Sequence, residues 1–129
     1  MSSEKKALIL TDGTESIQSA AAAIADALTG YKTEVCPGET FAGTDILPAE
    51  IFFIGCEKTH PASFVYLAEM LAHINLADRS CGIFSTNEKT IVWLETIVKD
   101  CEASLGEPLL IDGEVKAPAV KKWVKGILK

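Results

Sequence analysis

The feature that most constrains this chain is a repeated alternation of short, unbroken apolar runs with segments of helical spacing. Residues 7–10 are entirely apolar, and after a polar turn, apolar residues recur three and four positions apart as far as Gly30. Similar apolar runs follow at residues 51–55, 81–84 and 109–111, and we interpret the more polar segment 32–36 as a short strand that ends before Pro37 and Gly38. Because runs without polar alternation are buried on both faces, they indicate a parallel sheet with helices on each side.

The helices between these runs have their own start signals. Pro61 suits the first position of a helix that continues to residue 71. Ser85 and Glu88 have the spacing of a capping box before a helix over residues 91–101. A last helix places apolar residues 120, 123, 124 and 127 on one face. The Pro- and Gly-interrupted segment 37–48 leaves room for one helical turn at most.

Length and composition limit the class of protein. A chain of 129 residues predicts one domain, residues 1–129. Its hydrophobic fraction of 48% excludes a disordered chain. The longest charge-free stretches have about ten residues, half of what a membrane-spanning helix needs. The first six residues resemble neither a signal peptide nor an anchor, so we expect a soluble, cytoplasmic protein.

The charges are unevenly distributed. All 18 acidic residues precede position 115, five lysines follow it, and the net charge is −6. An acidic body argues against nucleic-acid binding, which needs a positive face for the phosphates. We interpret the terminal lysines as favouring the dipole of the last helix, with a docking patch as the alternative.

The four cysteines, at positions 36, 56, 81 and 101, have neither the CxxC spacing nor nearby histidines that a zinc site would need. We therefore expect buried thiols without a metal or disulfide framework. Cys56 with Lys58 and His60 nearby raises the alternative of a nucleophilic thiol. No orienting partner is identifiable, so we predict no catalytic residue and no enzyme.

The loops that follow the first, third and fourth strands are the places to look for a site. In parallel α/β sheets, ligands bind at the carboxyl ends of the strands, where the strand order reverses. The three segments are residues 11–16, 56–63 and 85–89.

These loops, their order and the chain length resemble the flavodoxins, small cytoplasmic electron carriers that hold FMN noncovalently. The resemblance includes the turn at residues 11–16, the strand ending at Gly55, the segment 82–86 and the ending after Asp112. It implies a flavodoxin-like three-layer α/β sandwich, with a five-stranded parallel sheet in the order 2-1-3-4-5 and helices on both faces. It also implies FMN as cofactor and a redox partner protein, with no membrane or nucleic-acid partner and the oligomeric state left open.

The phosphate turn departs from the family pattern, Ser/Thr-x-Thr-Gly-x-Thr. With Gly13 on the family glycine, Leu10, Asp12 and Glu15 replace the three hydroxyl residues. A shift by one residue restores two hydroxyls but loses the glycine. Each carboxylate at about 4 Å from a phosphate would cost roughly 4 kcal/mol at an effective dielectric near 20. The alternative is that Asp12 and Glu15 form a capping box and fill the helix terminus themselves.

The resemblance assigns the predicted cofactor contacts to the three loops. The phosphate would lie on Thr11, Gly13, Thr14 and Ser16, with Asp12 and Glu15 in the same turn, and the flavin ring would be bordered by Glu57, Lys58, Thr59, His60, Ser85, Thr86 and Asn87. Only His60 offers an aromatic ring in the two ring loops. We therefore predict an FMN-binding electron-transfer protein with an atypical phosphate loop. The alternative is an FMN-free module of the same fold that binds another small ligand or a protein.

Overall fold

The computed structural model describes residues 5–38 and 49–128 as alternating strands and helices. The strands are β1 (Lys5–Thr11), β2 (Tyr31–Pro37), β3 (Ile51–Gly55), β4 (Ser80–Ser85), β5 (Ser104–Leu105) and β6 (Leu109–Leu110). The helices are α1 (Glu15–Ala27), α2 (Val65–Leu71), α3 (Glu88–Lys99) and α4 (Ala117–Leu128). The strands pair in parallel in the order β2-β1-β3-β4-β5, and β6 also pairs with β4. The predicted fold class and strand order are confirmed.

The sheet separates two apolar layers, because successive strand residues face opposite sides. Leu8 and Leu10 of β1 pack towards α2 and α3, whereas Ala7 and Ile9 pack towards α1 and α4. The same division holds for β3, whose five residues are all buried. The unbroken apolar runs of β1 and β3 are therefore buried on both faces of the sheet, as the sequence predicted.

The edge strand beside β4 is divided into two short pieces. Ser80 of β4 lies opposite Ser104 of β5, and Phe84 lies opposite Leu109 of β6. Sequence analysis predicted a single strand at residues 109–111 and missed β5, because two residues, Ser and Leu, carry no periodic pattern.

Two predicted helix starts are wrong. α3 begins at Glu88, and its N-cap is Asn87, whose side chain accepts a hydrogen bond from the Lys89 N–H. Ser85 lies at the end of β4 and does not form a capping box with Glu88. Pro61 has extended ψ (145°) and precedes a 3-10 turn, Ala62–Phe64, before α2. The chain therefore makes one more turn between β3 and α2 than predicted.

The sequence predicted at most one helical turn in the segment 37–48. Of this segment, only residues 37 and 38 lie within the described ranges. All four cysteines are buried. Within residues 5–38 and 49–128, each helix is too short or too polar to cross a membrane.

Candidate functional site

The candidate site lies where three strands end at one level of the sheet. Thr11 of β1 is opposite Gly55 of β3, and Gly55 is opposite Phe84 of β4. β1 has β2 on one side and β3 on the other, so the strand order reverses here. The loops after β1, β3 and β4 therefore border one crevice, as the sequence predicted for a sheet of this order.

The loop after β1 leaves the amino-terminal end of α1 accessible to a ligand. Gly13 has a φ of 83°, in the left-handed region that favours glycine, and a Cβ there would meet nothing within 4 Å. The first helical hydrogen bond runs from the Gln18 N–H to the Thr14 carbonyl. No hydrogen bond joins the N–H groups of Glu15 or Ser16 to another described residue. Such unpaired N–H groups at a helix start are donors for an anion.

Asp12 places a carboxylate between the loops after β1 and β3. One of its oxygens accepts hydrogen bonds from the Thr14 N–H (3.0 Å) and the Thr14 hydroxyl (2.6 Å). The other accepts from the Glu57 N–H at 2.9 Å. The capping box considered for Asp12 and Glu15 is wrong, because Thr14 is the N-cap of α1 and Glu15 is its first residue. Asp12 instead ties two crevice loops together.

The loop after β3 is fixed from the other side as well. The buried Ser85 hydroxyl donates to the Cys56 carbonyl at 2.6 Å and accepts from the Asn87 N–H at 3.1 Å. The Thr90 hydroxyl donates to the Glu57 carbonyl at 2.9 Å. Glu57 thus uses both main-chain groups to connect its own loop with the loop after β1 and with the first turn of α3.

Cys56 is enclosed at this junction. Its thiol donates to the Lys58 carbonyl at 3.3 Å. Burial raises the pKa of the Cys56 thiol, and the nearby Asp12 carboxylate raises it further. The thiol is therefore protonated at neutral pH, which argues against the alternative of a nucleophile and agrees with a packing role.

His60 and Trp93 form an aromatic pair beside the crevice. Their ring centroids are 4.8 Å apart and the rings are inclined by 47°. His60 has a φ of 52°, an uncommon conformation for a residue with a side chain. Sequence analysis placed Trp93 inside a helix and away from the loops, so it missed this contact. The available signal was that Trp93 departs from the apolar stripe of Ile91 and Leu94.

The other predicted site residues are divided between structural and exposed positions. The side chain of Thr11 is buried and donates to the Gln18 amide oxygen at 3.3 Å. Thr11 and Ser85 thus stabilise the floor of the crevice. Lys58 and Thr59 are exposed, and Ser16 and Thr86 are half-buried. Next to the loop after β4, residues 86–89 and 110–112 enclose a hollow of about 350 Å³.

The described residues hold no group of three or more His, Cys, Asp or Glu side chains that could bind a metal ion. The crevice offers hydrogen-bond donors from the main chain and one carboxylate already bound to its own loops.

Known structures have the same arrangement of strands and helices. A short-chain flavodoxin associated with a non-canonical PDU bacterial microcompartment superposes with a TM-score of 0.85, at 16% sequence identity over 98% of this chain and 97% of that one. This chain has a flavodoxin-like fold. No family model and no curated protein matches its sequence.

Two other flavodoxins give the same result. The flavodoxin of Streptococcus pneumonia TIGR4 has a TM-score of 0.82 at 17% identity, and oxidised Flavodoxin 2 from Bacillus cereus has 0.80 at 15%. Each alignment covers 95% of this chain and 97% of the flavodoxin. Identities this low establish the flavodoxin-like fold but not its ligand.

Proposed function

We propose that the crevice binds FMN and that the chain is an electron-transfer protein of the flavodoxin type. The observation that carries this proposal is the open start of α1 at the point where the strand order reverses. The N–H groups of Glu15 and Ser16 have no partner among the described residues, and the space above Gly13 is empty of protein atoms. A phosphate would be held there by main-chain donors and by the α1 dipole.

The remaining predicted contacts would border the flavin ring. The loop after β3 supplies Glu57, Lys58, Thr59 and His60, with Trp93 against His60. The loop after β4 supplies residues 85–87. The flavin, when bound, supplies the redox chemistry, so the proposal assigns this chain no catalytic residue.

The acidity of the chain supports a carrier that meets a redox partner protein. With a net charge of −6, the protein would disfavour further negative charge on a bound, reduced flavin. The same charge would attract a basic partner and accelerate its association.

A second candidate, an FMN-free module of the same fold, is favoured by Asp12. Its carboxylate already accepts three hydrogen bonds from the loops on either side of the crevice. A phosphate at the start of α1 would meet this charge and that of Glu15. The module would bind another small ligand or a protein at this edge.

Titration with FMN separates the two candidates. Purified protein is added to FMN while flavin fluorescence is recorded, and riboflavin, which lacks the phosphate, is the matched control ligand. The carrier proposal expects quenching at micromolar protein, with FMN bound at least about tenfold more tightly than riboflavin because of the main-chain donors. Colourless protein that quenches no FMN fluorescence at these concentrations would reject the carrier and leave the FMN-free module.

A further inference from the structure

A second surface feature lies between α4 and the edge of the sheet. It is a hollow of about 670 Å³ beside the connection between β5 and β6, which we call the edge hollow. Its floor includes Trp123, Gly126 and Ile127, and charged residues Glu107, Lys122 and Lys125 border it. Of the described residues that line the edge hollow, none belongs to the three loops that border the crevice.

The floor of the edge hollow is held by contacts with the sheet and with the segment between β5 and β6. The Trp123 indole N–H donates to the Glu107 carbonyl at 2.6 Å, and its ring contacts Phe53 with centroids 5.5 Å apart. Ile127 is buried against Gly106, where a Cβ would overlap the Ile127 side chain. A ligand would therefore meet a fixed apolar surface that needs little reordering.

Gly126 keeps this surface open. A Cβ at Gly126 would meet nothing within 4 Å, so the position faces free space. Gly126 lies inside α4 and its φ is outside the left-handed region, so the helix does not require a glycine there. Its small size leaves room above the helix for a side chain from another molecule.

Lys122 and Lys125 give the edge hollow its charge. Both are exposed, and neither side chain forms an ion pair or hydrogen bond with another described residue. The last 15 residues of the chain contain no acid that could neutralise them. Glu107 contributes one opposing carboxylate, so a binding partner would meet two unpaired cations, one anion and an apolar floor.

We propose that the edge hollow docks an acidic protein segment that inserts an apolar side chain over Trp123 and Gly126. Its carboxylates would pair with Lys122 and Lys125, which are otherwise unpaired in a strongly acidic protein. Charge complementarity of this kind selects the partner and its orientation, and the apolar contact supplies affinity. This proposal does not depend on the binding of FMN.

A labelled peptide tests the proposal directly. The probe is a fluorescein-labelled hexapeptide, Glu-Glu-Leu-Phe-Glu-Glu, whose anisotropy is recorded as protein is added at an ionic strength of about 0.15 M. We expect the double variant Lys122→Gln/Lys125→Gln to bind about tenfold more weakly, since two charge contacts are lost. Lys121→Gln, on the same helix but beside the groove facing α1, is the matched control and should change affinity less than about twofold.

Two further variants test the geometry. Gly126→Gln keeps α4 helical but places a side chain in the edge hollow, so it should weaken peptide binding while circular dichroism stays unchanged. Glu107→Gln removes the opposing carboxylate and should tighten binding. An equal affinity for the neutral peptide Gln-Gln-Leu-Phe-Gln-Gln, or an equal loss in Lys121→Gln, would overturn the proposal. A dimer in sedimentation that Gly126→Gln dissociates would assign the surface to a second copy and would also overturn it.

Discussion

The crevice and the edge hollow differ in whether their charged side chains have partners within the chain. In the crevice, the Asp12 carboxylate is held by donors from Thr14 and Glu57 of its own chain. At the edge hollow, Lys122 and Lys125 form no ion pair within the described ranges. An anionic ligand must therefore approach a fixed carboxylate in the crevice, whereas an acidic segment would meet unpaired lysines at the edge hollow.

The largest expected contrast uses one glycine from each region. A Cβ at Gly55, at the crevice floor, would overlap the buried Phe84 ring, so Gly55→Ala should lower the free energy of unfolding by about 3 kcal/mol. Gly126→Ala should raise it by up to about 1 kcal/mol, because the helix gains propensity without a clash. Urea unfolding measures the free energy of unfolding of both variants. If both substitutions lowered it, or both raised it, the contrast would be contradicted.

Ser85→Ala tests whether the crevice loops depend on internal hydrogen bonds. The change removes a fully buried hydroxyl that donates a hydrogen bond to the Cys56 carbonyl and accepts one from the Asn87 N–H. We expect a loss of about 2 kcal/mol in the free energy of unfolding, since two polar groups lose their partner. The exposed Ser19→Ala, on α1, is the control and should change stability by less than about 0.5 kcal/mol.

Asp12→Asn should lower the stability of the fold but raise the affinity of the crevice for FMN. Asparagine keeps one acceptor oxygen but leaves either Thr14 or Glu57 without its hydrogen bond, so stability should fall by about 1 kcal/mol. FMN should bind about tenfold more tightly, because one charge facing the phosphate is removed. Asp12→Thr combined with Glu15→Thr should tighten FMN further.

Asp26→Asn, the same change in an exposed residue at the other end of α1, is the control for Asp12→Asn. It should leave FMN affinity within about twofold, since screening weakens a charge at that distance. Fluorescence titration supplies the affinities. If Asp12→Asn gave an unchanged or weaker affinity for FMN, repulsion by Asp12 would be excluded.

The smallest effect concerns alkaline pH. Burial raises the pKa of Cys81 above the ordinary value, and the neighbouring Cys101 raises it further. A thiol with a folded-state pKa above the unfolded value stabilises the fold fully below about pH 8.5, and this contribution declines as pH rises. We expect stability to fall between pH 8.5 and about pH 10. The Cys81→Ala variant, compared by urea unfolding across this range, should show a shallower decline.

The layout of the fold was predictable because its signals are local. The apolar runs at β1, β3 and β4 and the helical spacing in α1 each lie within about a dozen residues. Burial on both faces then required a parallel sheet with two helical layers. The same reasoning failed for β5, which has two residues, and for the N-cap of α3, where Asn87 replaced the expected Ser85.

The candidate site was predictable in position but not in its contacts. The sequence located the three loops, the two acids in the turn after β1 and the five lysines that follow position 115. Tertiary structure determined the partners: Asp12 meets Glu57 across 45 residues, Thr90 meets Glu57 across 33, and Ser85 meets Cys56 across 29. Hydrogen bonds of this span leave no periodic trace in a sequence, because they depend on which loops the folded sheet brings together.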